Sequence, residues 1–271
     1  MKPVTSPSLQ HEPLRPPLKW AGGKRWQVPL LLEMWRPHSG RRLVEPFCGG
    51  LAVALGLRPD NALLNDINPH VINFYAWLKK GLKVSQSFRN EERFYYERRT
   101  EFNKLQLNGQ RGSSRTAELF YYLNRTGYNG LCRFNRSGEF NVPFGRYKRI
   151  PYRPDFLEYR EAFSGWEFTT LDFGSVDIGP DDFVYADPPY DVDFTQYSQG
   201  GFGWEDQQRT AELLSAHPGP VVLANQATPR IVRLYRKLGF NLYRRLPYAP
   251  RRISCTGDRT PAREVLALKN L

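Results

Sequence analysis

The chain of 271 residues carries 39 Lys and Arg against 27 Asp and Glu, a formal net charge of +12, and its 40% hydrophobic and 14% aromatic content is enough for one large or two modest domains. That charge disfavours basic partners and favours polyanions, nucleic acid first and an anionic membrane surface second. No apolar run approaches the roughly 20 residues of a membrane span, and no signal-peptide core opens the chain. Cys48, Cys132 and Cys255 with four histidines make neither a disulfide framework nor a zinc spacing, so a monomeric, cytoplasmic protein without a metal is expected.

Residues 1–15, with Pro3, Pro7 and Pro13 and little hydrophobic pattern, read as a flexible tail. Next comes Pro17-Leu18-Lys19-Trp20-Ala21-Gly22-Gly23-Lys24-Arg25, an indole and several cations around a glycine pair that lets a backbone approach a ligand closely. It suits a cofactor or nucleic-acid contact; the alternative is a helix entry with a surface Trp. Leu43-Val44-Glu45-Pro46-Phe47-Cys48-Gly49-Gly50 reads as a strand and a glycine turn, followed by a helix over 51–57, which is how a doubly wound nucleotide-binding unit opens. A second strand over 62–65 ends at Asp66, an acid placed to accept hydrogen bonds from ribose hydroxyls. Two glycines without a third favour an adenosine lacking pyrophosphate, S-adenosylmethionine over NAD. The alternative for Asp66 is a cap on the helix expected over 69–80.

From 69 to 125 the period turns helical: Val71, Phe74, Tyr75 and Leu78, then Phe94, Tyr95, Phe102 and Leu105, then Leu119, Tyr122 and Leu123. This interrupts the strand and helix alternation, so an inserted helical subdomain with an aromatic core is expected. Residues 128–146 follow with a hairpin signal at Arg136-Ser137-Gly138. Between Asn124 and Arg153 stand seven Lys or Arg, one acid and six Phe or Tyr. Cations meet phosphates, aromatics stack on or wedge between bases, and Arg or Asn reads a base edge in a groove that admits a β-ribbon. Asn124, Arg125, Arg146 and Lys148 are counted with these contacts; an exposed basic hairpin without a partner is the alternative.

Alternation then resumes, with strands over 166–171, 183–186, 220–224, 240–246 and 264–268 and helices over 205–215 and 229–238; residues 196–203 read as a mobile glycine-rich loop beside the site. A doubly wound α/β unit of residues 16–68 and 154–271 is thus split around an insert at 69–153. The strand through Val184-Tyr185-Ala186 stops at Asp187 because Pro188 and Pro189 offer no amide hydrogen. A carboxylate, the Pro188 carbonyl and the Tyr190 ring are left at a strand's carboxyl end, where open α/β sheets hold ligands. Two acceptors and a ring suit a planar amino group on a heterocycle, a poor nucleophile until its lone pair is localised. The alternative is that Asp187 caps a rigid turn.

Together Lys19-Trp20-Ala21-Gly22-Gly23-Lys24, Glu45-Pro46-Phe47-Cys48-Gly49-Gly50, Asp66-Ile67-Asn68, the block of residues 124–133 and Asp187-Pro188-Pro189-Tyr190 resemble the DNA adenine methyltransferase (Dam) family, in that family's order, from Pro17 to the C-terminus. The resemblance implies a Rossmann-like class I methyltransferase fold and methyl transfer from S-adenosylmethionine to N6 of adenine in double-stranded DNA, within GATC, after base flipping. It implies cofactor contacts at Trp20, Lys24, Glu45, Phe47, Gly49, Asp66 and Asp187, and catalysis at Asp187, Pro188 and Tyr190. It also implies that Lys19 touches the outer guanine, that Tyr128 wedges into the stack, and that Asn129, Leu131, Arg133 and Pro143 read the site. Two positions depart from many relatives: Leu51 replaces a glycine, and residues 224–228 lack a histidine-aspartate pair. Other classes stay open on chemistry alone: a cytosine amino methyltransferase, which more often has serine at the position of Asp187; a protein-glutamine methyltransferase, with asparagine there; a repressor-like duplex binder; and a nicotinamide dehydrogenase.

Overall fold

The computed structural model describes residues 14–84, 88–191, 201–243, 246 and 263–271. Of the expected tail only Leu14 and Arg15 fall among these, and of the expected loop over 196–203 only residues from Gly201 onward. Strands β1 (Leu43–Glu45), β2 (Ala62–Asn65), β3 (Trp166–Thr169), β4 (Phe183–Ala186), β5 (Val221–Gln226), β6 (Asn241–Tyr243) and β7 (Glu264–Lys269) form one seven-stranded sheet in the order β3-β2-β1-β4-β5-β7-β6. The first five strands pair in parallel, and β7 runs antiparallel between β5 and β6. Parallel strands buried on both faces need cover on both. Phe183 and Tyr185 of β4 accordingly join one core and Val184 and Ala186 the other.

The first core takes in α1 (Val28–Trp35), α2 (Ala52–Leu57), α3 (Pro69–Lys79), α4 (Glu92–Leu107), α5 (Ser114–Thr126) and α6 (Leu157–Ala162). The second is covered by α7 (Trp204–Ser215) and α8 (Pro229–Lys237). Helix starts follow local chemistry. Asn68 accepts from the His70 amide at 3.0 Å with Pro69 next, and Thr228 accepts from Ile231 at 3.3 Å with Pro229 next. The cap of α3 is therefore Asn68, one residue before the helix, and not Asp66. β3 stops two residues before the expected end because the Leu171 amide is bonded to the Asn65 side chain at 2.9 Å.

The aromatics expected in the core are there. Phe74 stacks on Tyr121 at 5.7 Å, Phe102 meets Phe120 and Phe140, and His70 lies flat on Phe134 at 4.8 Å. The chain reverses at 135–139 through Asn135 N to Glu139 O and Gly138 N to Asn135 O, both 2.9 Å. The arms meet only in isolated bridges, Phe134 with Phe140 and Gly127 with Phe144. A continuous ladder is blocked near Pro143, which has no amide hydrogen.

The chain winds outward from β1 through β2 to β3 and, in the other direction, from β4 to β5. The switch between β1 and β4 is where a crevice opens at the strands' carboxyl ends. In the turn there, Leu51 sits at φ 60° and ψ 25° and is fully buried. A left-handed conformation costs a leucine about 1–2 kcal/mol, which the burial of its side chain, about 2–5 kcal/mol by Leu→Ala comparison, outweighs. Both Leu51→Ala and Leu51→Gly forfeit that burial, but only glycine also relieves the backbone. Chemical denaturation should therefore find Leu51→Gly more stable than Leu51→Ala by about 0.5–1 kcal/mol, the reverse of the usual order; an alanine variant at least as stable would remove the strain from the account.

Candidate active site

One buried amide fixes the exits of three strands. Asn65 donates to the carbonyls of Pro46 and Leu171, both at 3.0 Å, and its Oδ1 accepts from Thr169 Oγ1 and the Leu171 amide, both at 2.9 Å. All four of its hydrogen-bonding positions are used. The glycine turn beyond β1 is held from two sides: the Gly49 amide donates to Asp66 Oδ2 at 3.0 Å, and its carbonyl accepts from Tyr75 Oη at 2.7 Å. Asp66 Oδ1 takes the Asn68 amide at 2.8 Å. Burial pushes the Asp66 carboxyl up to about 6 against the pull of these amides. Trp20 lies against the turn so closely that a Cβ would come within 2.6 Å of its indole Nε1 at Gly49 and within 2.6 Å of its Cβ at Gly50. The glycine pair is thus required by the indole.

At the end of β4, Lys24 Nζ stands 2.8 Å from Asp187 Oδ2 and 4.7 Å from the Tyr190 ring centre, and it donates to the Gly22 carbonyl at 2.8 Å. Asp187 Oδ1 has no hydrogen-bond donor among the described residues. Burial raises the Asp187 pKa, and the Lys24 charge and hydrogen bond hold it down. Two further buried carboxylates stand nearby. Burial pushes Glu45 well above the usual range, with the Ala54 amide opposing and the charge of Asp187 adding. Burial also raises Glu264, which accepts from Gln27 Nε2 at 2.7 Å, while Gln27 Oε1 accepts from Tyr185 Oη at 3.1 Å. Of the three carboxylates only Asp187 is in contact with Lys24, and burial pushes the other two toward the neutral form.

The loop after Asp187 is braced from behind. The Pro189 carbonyl accepts from Gln207 at 2.7 Å, Gln207 accepts from Asn225 at 2.8 Å, and Asp191 is clasped by the Arg230 guanidinium and by Thr228 Oγ1 at 3.0 Å. Gln27, Asn65, Gln207, Asn225 and Glu264 were not expected from the sequence. For all but Gln207, which sits among polar residues, the only local signal is a polar side chain at the edge of an apolar run.

Trp20, Lys24, Glu45, Phe47, Gly49, Asp66, Asp187, Pro188 and Tyr190 all line one cleft of about 2720 Å³, and Arg125, Leu131 and Arg133 line it too. Lys19, Asn124, Tyr128, Asn129, Pro143, Arg146 and Lys148 do not. Tyr128, Asn129, Pro143, Arg146 and Lys148 are exposed outside it. Asn124 is buried, and both ends of its amide serve the Lys19 backbone, each at 2.8 Å. Lys19 Nζ donates to the Arg125 carbonyl at 2.7 Å and lies 3.6 Å over the Tyr147 ring; burial, with Arg125 nearby, lowers its pKa to about 8. The Pro143 carbonyl accepts from the Tyr128 amide at 2.9 Å. Arg133 is oriented by Asn141, with Nε to Oδ1 at 2.8 Å and Nη2 to the carbonyl at 3.2 Å. Among the described residues no group of three or more His, Cys, Asp or Glu could hold a metal ion, and no helix is long and apolar enough to cross a membrane.

Residues 20–246 match the model of the D12 class N6 adenine-specific DNA methyltransferases. The chain is 36% identical over 270 residues to the retron Ec67 DNA adenine methylase of Escherichia coli, covering 93% of this chain and 90% of that one. It is 35% identical over 275 residues to the DNA adenine methylase of Vibrio cholerae serotype O1, covering 93% and 94%. It is also 37% identical over 273 residues to the DNA N-6-adenine-methyltransferase of Escherichia phage P1, where 92% of this chain spans 35% of that longer protein. With a doubly wound sheet, a cleft at its switch point and a family match over most of its length, the chain belongs to the D12 class N6 adenine-specific DNA methyltransferase family.

Proposed function

We propose that this chain methylates N6 of adenine in double-stranded DNA, within GATC, using S-adenosylmethionine and taking the target base out of the duplex into the pocket formed by residues 187–190. The observation that carries this reading is the Asp187 carboxylate, with one oxygen on Lys24 and the other without a donor, at the same strand end as the Pro188 carbonyl and the Tyr190 ring.

The residues of the cleft suit that methyl donor. Each Asp66 oxygen keeps a lone pair for a hydroxyl beyond its backbone amide. Ile67, 59% exposed and lining the cleft beside Asp66, offers apolar surface to a flat ring, and Phe47 and Phe173 stand 5.3 Å apart nearby. The buried oxygen without a donor on Glu45 suits a cationic group, whose arrival would draw that carboxyl back toward ionisation. When bound, S-adenosylmethionine supplies a methyl made electrophilic by its sulfonium.

A paired adenine keeps its amino group inside the helix, so it must leave the stack at a cost of a few kcal/mol. In the pocket, Asp187 Oδ1 and the Pro188 carbonyl would each accept one amino hydrogen, and the Tyr190 ring would hold the base by stacking. This localises the nitrogen lone pair and places a fixed negative charge where positive charge develops. Lys24 holds the Asp187 pKa down against burial, which raises it and with it the basicity by which Oδ1 would take the amino proton. Arg133, exposed and held in place by Asn141, suits a guanine edge; Lys148, exposed and outside the cleft, suits a phosphate.

Nucleoside mass spectrometry of a GATC duplex after incubation with S-adenosylmethionine should give N6-methyladenine, absent from a duplex with those bases scrambled. Asp187→Ala should lower the yield by at least about a hundredfold with the fold preserved; substantial activity would remove this mechanism. Lys24→Met takes away what depresses the Asp187 pKa, so the acid limb of the pH–rate profile should move to higher pH; a limb that stays put or moves down contradicts the pairing. Arg133→Ala should relax sequence choice by about 1–3 kcal/mol, whereas Lys148→Ala should weaken binding to every sequence alike and reduce the salt slope by about 1. Equal losses on all sequences from both would end that division of labour.

A further inference from the structure

The solvent face of α8 is unlike that of its neighbour on the same side of the sheet. Ile231, Val232, Leu234 and Tyr235 are buried, while Arg230, Arg233, Arg236 and Lys237 are exposed, and the helix contains no carboxylate. On α7, by contrast, Glu205, Asp206 and Glu212 stand against Arg209. A solvated helix face ordinarily mixes signs and gains from pairs three or four residues apart. Among the described residues Arg233, Arg236 and Lys237 have no carboxylate partner.

The helix dipole accounts for only part of this. Arg236 and Lys237 lie in the last turn, where cations are favoured, but Arg230 lies in the first, where they are not, and Arg233 lies midway. Arg230 is stabilised by Asp191 and by the Trp204 ring at 4.7 Å. Among the described residues Arg233 has no such neighbour, and it lines the cleft that holds Asp187, together with Arg133 and Arg136 of the hairpin. The cationic stripe therefore begins in the cleft and runs outward along the helix. From Arg233 to Lys237 it extends about 6 Å at 1.5 Å per residue. One DNA strand carries a phosphate every 3.4 Å along its axis, so the stripe matches two or three of them.

We propose that Arg233, Arg236 and Lys237 of α8 bind phosphates of duplex DNA flanking the target base, as a basic surface separate from the hairpin. This rests on the reading of duplex DNA as the substrate. The full-length protein is titrated with a fluorescent duplex of about 30 base pairs carrying GATC, in KCl from about 50 to 200 mM, where each phosphate contact contributes roughly 0.9 to the slope of log K against log salt. Arg233→Ala/Arg236→Ala/Lys237→Ala should lower that slope by about 2.7, so that over the range wild type loses roughly 40-fold more affinity than the variant. Arg233→Lys/Arg236→Lys should keep the wild-type slope. Arg93→Ala/Lys104→Ala/Arg160→Ala removes the same charge at positions that do not line the cleft and should also keep it.

An alanine variant with the wild-type slope overturns the proposal. So does an equal fall in the Arg93/Lys104/Arg160 variant, which would report net charge and not a docked face. If the triple variant fails to fold, Arg233→Gln alone decides, with a loss of about 0.9 expected and no loss contradicting. Binding is read without turnover, so a wild type that binds but does not methylate defeats the proposed activity and leaves this comparison intact.

Discussion

A buried ion pair between residues far apart in sequence sets the terms for everything around it. Lys24 comes from the glycine-rich stretch before α1 and Asp187 from the end of β4, and they meet at 2.8 Å with the Lys24 side chain only 5% exposed. Removing Asp187, whose side chain is 20% exposed, would leave the Lys24 ammonium without its carboxylate. The surroundings add to the constraint, since Glu45 and Glu264 are also buried and pushed toward the neutral form. A pocket with more carboxyl groups than cations is ready to take in positive charge, and the proposed methyl transfer to an amino nitrogen would generate it there.

The doubly wound sheet brings these groups together without any of them being close along the chain. β1 and β4 pair in parallel at the switch point, so the turn after Glu45 and the turn after Ala186 face each other. Asn65 then ties the exits of β1, β2 and β3 into one frame. The same frame reaches the hairpin. Asn68, two residues beyond Asp66, donates to Cys132 Sγ at 3.2 Å, and His70 stacks on Phe134. Burial lowers the His70 pKa to about 4, so its ring stays neutral at physiological pH and that contact is insensitive to acidity.

Most strands and the charged motif residues were legible because their signals are local. Four apolar residues running into Asp187 and two prolines define a strand and its end, and the glycine pair marks the turn after β1. The bracing groups were not legible, because their meaning lies in partners far along the chain. Gln27 and Glu264 are 237 residues apart, and Asn124 and Lys19 are 105 apart. Asn124 read as a base or phosphate contact because an amide beside arginines in an exposed segment would be one; its burial against Lys19 follows only from the fold. The cap of α3 shows the same limit at short range, since Asp66 and Asn68 are both good capping residues and only the register of the helix start separates them. α1 and α6, eight and six residues long, are too short for a periodic signal to stand out.

The contact between Lys19 and the start of the hairpin bears on how freely that hairpin can be exchanged. Gly130 lies so close to Lys19 that a Cβ there would come within 2.3 Å of the lysine Cβ, and Asn124, Arg125 and Tyr147 grip the same lysine from its backbone to its amine. The hairpin is therefore no portable cassette. Its shape is moulded on a residue next to Trp20, the indole that packs on the glycine turn, so an exchange of this segment must be accommodated by the wall of the cleft.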